Sequence, residues 1–246
     1  MSLPAGEADP ERTADLRRRL AEVRERIDRA CRAAGRSSDE VTLVVVTKHF
    51  PASDIVRLAG LGVQHVAENR DQEARSKLAD LADVDPTVRQ GLIVHFVGQL
   101  QTNKASSVAG YADVVHSVDR SRLVDPLAAA ATKRGRRIDV LLQVNLDPEQ
   151  AGRGGVNPEL LPELADRVRT QPTLRLRGLM AVAPLGRDAG EAFERLAHLH
   201  AVVRADHPDA TWLSAGMSGD LEAAVAHGST HLRVGTAILG SRPPLG

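Results

Sequence analysis

Short apolar runs alternate with longer amphipathic stretches through most of the chain. The run at 41–48, Val-Thr-Leu-Val-Val-Val-Thr-Lys, is apolar and β-branched, which suits a central strand of a parallel sheet covered on both faces. Similar runs at 63–67, 92–97, 114–118, 140–146, 174–182, 212–215 and 231–239 bring the predicted strands to about eight. Amphipathic stretches such as 119–134, 158–170 and 189–205 lie between them, each long enough for a right-handed crossover helix. Ahead of the first strand, Leu16, Leu20, Val23, Ile27 and Ala30 recur at helical spacing. Asp9-Pro10 supplies an N-cap and a first-turn proline there, and Gly35 a C-cap. Residues 1–9 are expected to be disordered, and no linker divides the remainder. The pattern predicts an α/β fold: a single (β/α)8 TIM barrel over 10–246, preceded by an N-terminal helix, with an open doubly wound sheet as the alternative.

The 246 residues, 42% of them hydrophobic, supply a core large enough for one such barrel. Formal net charge is zero and only 2% of residues are aromatic, so neither a basic surface that tracks phosphates nor a base-stacking platform is indicated. Nucleic acid is therefore not an expected partner. A single cysteine, Cys31, excludes an internal disulfide framework and a cysteine-based metal site. The first ten residues lack an apolar core of signal-peptide length, and no window approaches the ~20 apolar residues of a membrane span. A cytoplasmic protein without a membrane partner is expected, and the lack of an evident apolar patch points to a monomer.

Polar residues collect where the predicted strands end. Lys48 closes strand one, Glu68-Asn69 follow strand two, Gly98-Gln99 strand three, Ser117 strand four and Asn145 strand five. Gly216-Met217-Ser218-Gly219 follows strand seven, and strand eight carries Arg233 before Gly235-Thr236. In a barrel these ends share the face where the βα loops place chemistry. A lysine partly desolvated there favours Schiff-base chemistry with a carbonyl compound; one snorkelling to solvent is the plain alternative. The segment from Gly216 to Asp220 opens a helix predicted over 221–227, so Ser218 and exposed N–H groups would stand at a helix N-terminus suited to phosphate. Loops after strands seven and eight often form a phosphate cup in barrels; a capped helix with tight closure is the plain alternative. His95 and His116 are candidate bases, with a packed, hydrogen-bonded role favoured. His198 and His200, two apart on a predicted helix, face differently, which argues against a metal pair.

Several segments occur together in order: Thr47-Lys48, Glu68-Asn69 with Gln72-Glu73, the stretch from His95 to Lys104, His116-Ser117-Val118-Asp119, Gln143-Val144-Asn145, Gly178-Leu179-Met180, and the stretch from Leu213 to Gly240. In this combination the chain resembles the pyridoxal phosphate homeostasis protein family. The most specific part is Gly216-Met217-Ser218-x-Asp220 followed by Arg233-x-Gly235-Thr236, and the resemblance spans roughly Leu16 to Arg242. It implies one barrel similar to the N-terminal domain of alanine racemase, binding pyridoxal 5′-phosphate (PLP) without an established turnover. It also implies that Lys48 forms the Schiff base, that Asn69 and Met217 line the pocket, that Ser218, Gly235 and Thr236 bind phosphate, and that Arg233 faces the pyridine nitrogen. Ala67 and Ala215 depart from the family pattern, standing where a glycine and a larger residue are usual.

The function this implies is PLP binding in intracellular vitamin B6 homeostasis, with the cofactor buffered or released to apo-enzymes. A PLP-dependent amino-acid racemase or decarboxylase is the first alternative, and a cofactor-free Schiff-base aldolase of sugar phosphates the second. An arginine at the ring nitrogen opposes the protonation on which PLP catalysis relies, by like-charge repulsion. The only tyrosine, Tyr111, falls away from the predicted strand ends, so a second acid/base group for racemisation is not evident.

Overall fold

In the computed structural model, which describes residues 9–147 and 154–241, eight parallel strands close into a barrel in sequence order. The first half of the chain forms α1 (Pro10–Ala33), β1 (Thr42–Val46), α2 (Ala52–Gly60), β2 (His65–Glu68), α3 (Asp71–Val84), α4 (Pro86–Gly91), β3 (Ile93–Phe96), α5 (Ala105–Val108) and β4 (Val114–Val118). The second half forms α6 (Val124–Lys133), β5 (Ile138–Gln143), α7 (Leu161–Arg169), β6 (Leu174–Met180), α8 (Ala189–Asp206), β7 (Trp212–Ser214), α9 (Leu221–Ala226), β8 (His231–Val234) and α10 (Thr236–Leu239). The barrel closes where β1 pairs with β8, from Thr42 opposite His231 to Val45 opposite Val234.

The N-terminal helix starts and stops as its sequence dictates. Asp9 Oδ1 accepts from the Arg12 N–H at 3.0 Å, and Pro10 fills the first turn, where its missing N–H has no partner to lose. Of residues 1–9, expected to be disordered, 1–8 lie outside the described residues and Asp9 is this N-cap. At the other end Gly35 adopts a left-handed φ of +66°, and the Arg36 N–H donates back to the Cys31 carbonyl at 2.9 Å. The stripe of Leu16, Leu20, Val23 and Ile27 is buried, as is Cys31, and α1 packs on α9 and α10. Each such side chain contributes on the order of 2 kcal/mol by leaving water. The helix therefore covers the flank of the barrel seam instead of projecting from it.

The predicted elements are present, with shifted ends. Strand eight was expected to run to 239 but stops at Val234, and Gly235 turns the chain into the short α10, whose Ile238 and Leu239 are buried. An apolar run that continues into a buried helical turn has the composition of a longer strand. Strand two begins at His65, although Val63 before it is also buried. Strand five begins earlier than expected, at Ile138, because Asp139 interrupts the apolar run.

The main core lies between sheet and helices. A separate small apolar cluster, Val114, Leu141 and Met180 with Trp212 against it, fills part of the barrel interior. Polar side chains occupy the rest of that interior: His95, His116, Ser214, His231 and Arg233 are all buried.

Candidate functional site

The end of β1 is held from three sides. The Thr47 N–H donates to the Ala67 carbonyl at 2.9 Å, continuing the sheet, and Thr47 Oγ1 donates to Glu68 Oε1 at 2.7 Å. From α3, buried Lys77 Nζ donates to the Thr47 carbonyl at 2.8 Å and to Glu68 Oε1 at 2.7 Å. On the far side of Lys48, the His49 N–H donates to Glu73 Oε1, and His49 has a left-handed φ of 70°. A non-glycine residue there is strained and persists only when its surroundings hold it. Lys48 thus sits between two clamped residues at the C-terminal rim of the barrel. Its own side chain is exposed, so the partial desolvation expected from its strand-end position is not observed. Burial pushes the Glu68 carboxyl up from its ordinary value, with Lys77 working against that rise.

The loops after β7 and β8 meet. Gly216 has φ +92°, and a Cβ there would come within 2.6 Å of Ala224 Cβ, so only glycine makes this turn. Arg26 of α1 donates to the Ser218 carbonyl at 3.2 Å and to Glu222 at 2.9 Å, fixing the loop from outside. Ser218 and Thr236 hydroxyls share a hydrogen bond at 3.4 Å, and the Ala237 N–H donates to Ser218 Oγ at 3.3 Å. This corrects the expected geometry: the Ser218 side chain turns to the first turn of α10, not to the start of α9. Gly235 lies against the end of β1, where an added Cβ would be 3.2 Å from the Val46 carbonyl oxygen. The β8 loop is thereby brought beside Lys48. Met217 is exposed at the same rim.

Asn69 follows β2, and its Oδ1 is buried without a hydrogen-bond partner among the described residues; so is Ser117 Oγ at the end of β4. Gly98 is required here, because a Cβ would lie 2.0 Å from the Asn69 carbonyl oxygen. Asn145, by contrast, accepts the Asp147 N–H at 2.9 Å as an ordinary turn residue.

Arg233 is buried and makes no ion pair among the described residues. Its Nη1 donates to Ser214 Oγ at 2.6 Å and its Nη2 to the Ala181 carbonyl at 2.8 Å. Burial pulls its pKa down to about 10, with Asp220 opposing, so it remains a cation at neutral pH. His116 and His95 are held well below the ordinary histidine range by burial and are therefore neutral. His116 Nε2 lies 2.7 Å from His95 Nδ1, a packed and hydrogen-bonded arrangement in the barrel interior. Tyr111 is buried beside Asp71, the first residue of α3, and burial raises its hydroxyl pKa.

The structure gathers Lys48, Asn69, Met217, Ser218, Gly235 and Thr236 at one rim, with Arg233 buried beneath. Sequence reasoning missed Lys77, Arg26 and Ser214, which hold these residues. Lys77 carries a faint signal, since it stands four residues after Glu73 on the helix that follows strand two.

Residues 19–243 match the family model of the alanine racemase N-terminal domain. The pyridoxal phosphate homeostasis protein of Mycobacterium tuberculosis is 45% identical over 96% of this chain and 96% of its own length. That of Escherichia coli K12 is 38% identical over 93% of this chain and 97% of its own. PipY of Synechococcus elongatus, solved with PLP bound, superposes with a TM-score of 0.79 at 34% identity, covering 92% of this chain and 100% of PipY. The chain belongs to the pyridoxal phosphate homeostasis protein family, on a barrel of the alanine racemase N-terminal type.

Proposed function

We propose that this protein binds PLP at the C-terminal rim of the barrel and serves intracellular vitamin B6 homeostasis, holding the cofactor and passing it to apo-enzymes. The observation that carries the reading is the convergence of a primary amine, a pair of hydroxyls and a buried cation on one rim, at positions matching the family's motif. PLP, when bound, offers an aldehyde that condenses reversibly with primary amines. Lys48 is the amine, and its exposed side chain leaves it open to exchange. Ser218 and Thr236 donate to the phosphate, and Gly235 lets it approach the backbone. Met217 covers the rim, and Asn69 offers Oδ1, a buried acceptor without a donor among the described residues. Relatives named for PLP homeostasis and PipY solved with PLP bound support the same assignment.

Arg233 faces the pyridine nitrogen in this reading. A cation there disfavours a proton on that nitrogen, which withholds the electron sink that PLP enzymes use. The neutral histidines are enclosed in the barrel, and Tyr111 is buried beside Asp71 with its hydroxyl pKa raised by burial, so neither supplies a ready second base beside Lys48. In this reading the protein is a cytoplasmic monomer. Among the described residues no helix is long and apolar enough to cross a membrane, and the exposed large apolar side chains, such as Val84, Leu160 and Leu185, lie on separate parts of the chain.

The test is transfer. PLP-loaded protein mixed with an apo-form of a PLP-dependent enzyme restores that enzyme's activity, while L-alanine incubated with the loaded protein in deuterium oxide keeps its α-hydrogen. Deuterium uptake or D-alanine that scales with protein and vanishes in Lys48→Ala overturns the carrier reading. Light scattering checks the monomer.

A further inference from the structure

A continuous hydrogen-bond chain runs through the barrel from the buried cation to the opposite mouth. Arg233 Nη1 donates to Ser214 Oγ at 2.6 Å, Ser214 Oγ lies 3.0 Å from His116 Nδ1, His116 Nε2 lies 2.7 Å from His95 Nδ1, and His95 Nε2 lies 3.0 Å from His65 Nδ1. His65 is the first residue of β2, so it stands at the N-terminal mouth, away from the loops that carry the cup, and it is half-buried. Five different strands, β8, β7, β4, β3 and β2, contribute one member each. Nothing in the PLP reading uses the chain beyond Arg233.

The direction of this chain follows from one end. A guanidinium only donates, so Ser214 Oγ must accept from it. Among the described residues the only other polar atom bonded to that hydroxyl is His116 Nδ1, so the Ser214 proton points there. His116 then has a lone pair on Nδ1 and its proton on Nε2, and passes the same polarity to His95, which passes it to His65. Burial keeps His116 and His95 neutral, with one proton each, as this pattern requires. The reverse polarity would leave the buried Ser214 hydroxyl without an acceptor, which costs more than an ordinary hydrogen bond gains. Aligned dipoles in a low-dielectric interior strengthen one another, and here all point their acceptor ends towards Arg233. That matters because Arg233 is buried and, among the described residues, pairs with no carboxylate.

We propose that Ser214, His116, His95 and His65 form one polarised relay, every imidazole in its Nε2–H tautomer, that positions the Arg233 guanidinium from the far mouth of the barrel. These four are positioning residues, and the group Arg233 is positioned for, the ring nitrogen of PLP, rests on the function proposed above.

The experiment begins with ligand-free, ¹⁵N-labelled protein. Histidine ring spectra of the wild type should show protonated Nε2 and unprotonated Nδ1 on all three imidazoles, and an Nδ1–H tautomer on His116 or His95 overturns the proposal without any variant. His65→Phe then fills the ring volume but removes the acceptor, whereas His65→Asn keeps an oxygen near the Nδ1 position. The expected result is loss of the hydrogen-bonded His95 Nε2–H signal and a shift of the Arg233 guanidinium signals in His65→Phe, both restored in His65→Asn. Unchanged Arg233 signals in a folded His65→Phe show packing alone and overturn the relay. A last arm measures PLP affinity, expected to fall several-fold in His65→Phe and recover in His65→Asn. If the spectra respond and the affinity does not, the relay stands and the placement of Arg233 at the ring nitrogen falls.

Discussion

Lys77 Nζ donates to the carbonyl oxygen of Thr47 across 2.8 Å, so a buried ammonium on α3 grips the backbone one residue before Lys48. The same nitrogen donates to Glu68 Oε1 at 2.7 Å, and both side chains are almost wholly enclosed. Removing one partner of a buried pair leaves the other charge without compensation, at a cost of about 3–5 kcal/mol. Lys77→Met is expected to lose stability in that range by urea unfolding. Adding Glu68→Gln should recover part of the loss, because the stranded carboxylate is gone; a double variant as unstable as the sum of the singles would show that the two side chains act independently.

Lys48 itself is exposed, so its removal should leave the fold intact. Lys48→Ala is expected to stay within about 0.5 kcal/mol of the wild type in the absence of PLP, the range of ordinary surface substitutions. Borohydride treatment of PLP-loaded wild type should place a stable adduct on the peptide carrying Lys48, and the variant should carry none. An adduct found on Lys104 or another lysine would reassign the attachment point.

For the cup, Ser218→Ala and Thr236→Ala are each expected to weaken PLP by roughly 1–3 kcal/mol, the usual worth of hydrogen bonds to charged groups. Ser218 also accepts the Ala237 N–H, so its variant should loosen α10 slightly as well. Pyridoxal, which lacks the phosphate, should bind wild type and variants alike by fluorescence titration. Equal losses for both ligands would place the phosphate elsewhere.

Acid should destabilise the protein early. Burial holds His95, His116 and His231 below their ordinary values, His231 at about 3 against 6.5. Their folded pKa is depressed, so the unfolded chain takes up protons first as pH falls. Their contribution is complete above the ordinary histidine value and is lost as pH drops below it, with a slope approaching about 1.4 kcal/mol per pH unit for each. His65 and His200 add with the same sign. Glu68 and Asp139, raised by burial, act in the opposite direction but are fewer. Thermal midpoints measured from about pH 7 down to about pH 5 should fall steadily; a flat profile would mean that the barrel histidines are charged or hydrated in the native state.

The sequence by itself determined the barrel, the N-terminal helix with its caps, and the strand-end places of Lys48, Asn69, Ser218 and Thr236. These depend on local signals: β-branched runs, helical spacing, and a proline or glycine at a terminus act within a few residues of themselves. It determined less at the end of β8, where Ile238 and Leu239 bury equally well in a strand or in a helical turn. Only the tertiary structure decided what holds the site. Lys77 reads as an ordinary exposed lysine on a charged helix until α3 packs behind β1 and β2. Ser214 becomes the link between Arg233 and His116 only because barrel closure brings β4 opposite the adjacent strands β7 and β8. Arg26 reaches the Ser218 carbonyl from a helix at the other end of the chain. The reason is physical: a hydrogen bond needs two groups within about 3 Å, and for partners far apart in sequence that distance is set by barrel closure, which no short window of residues encodes.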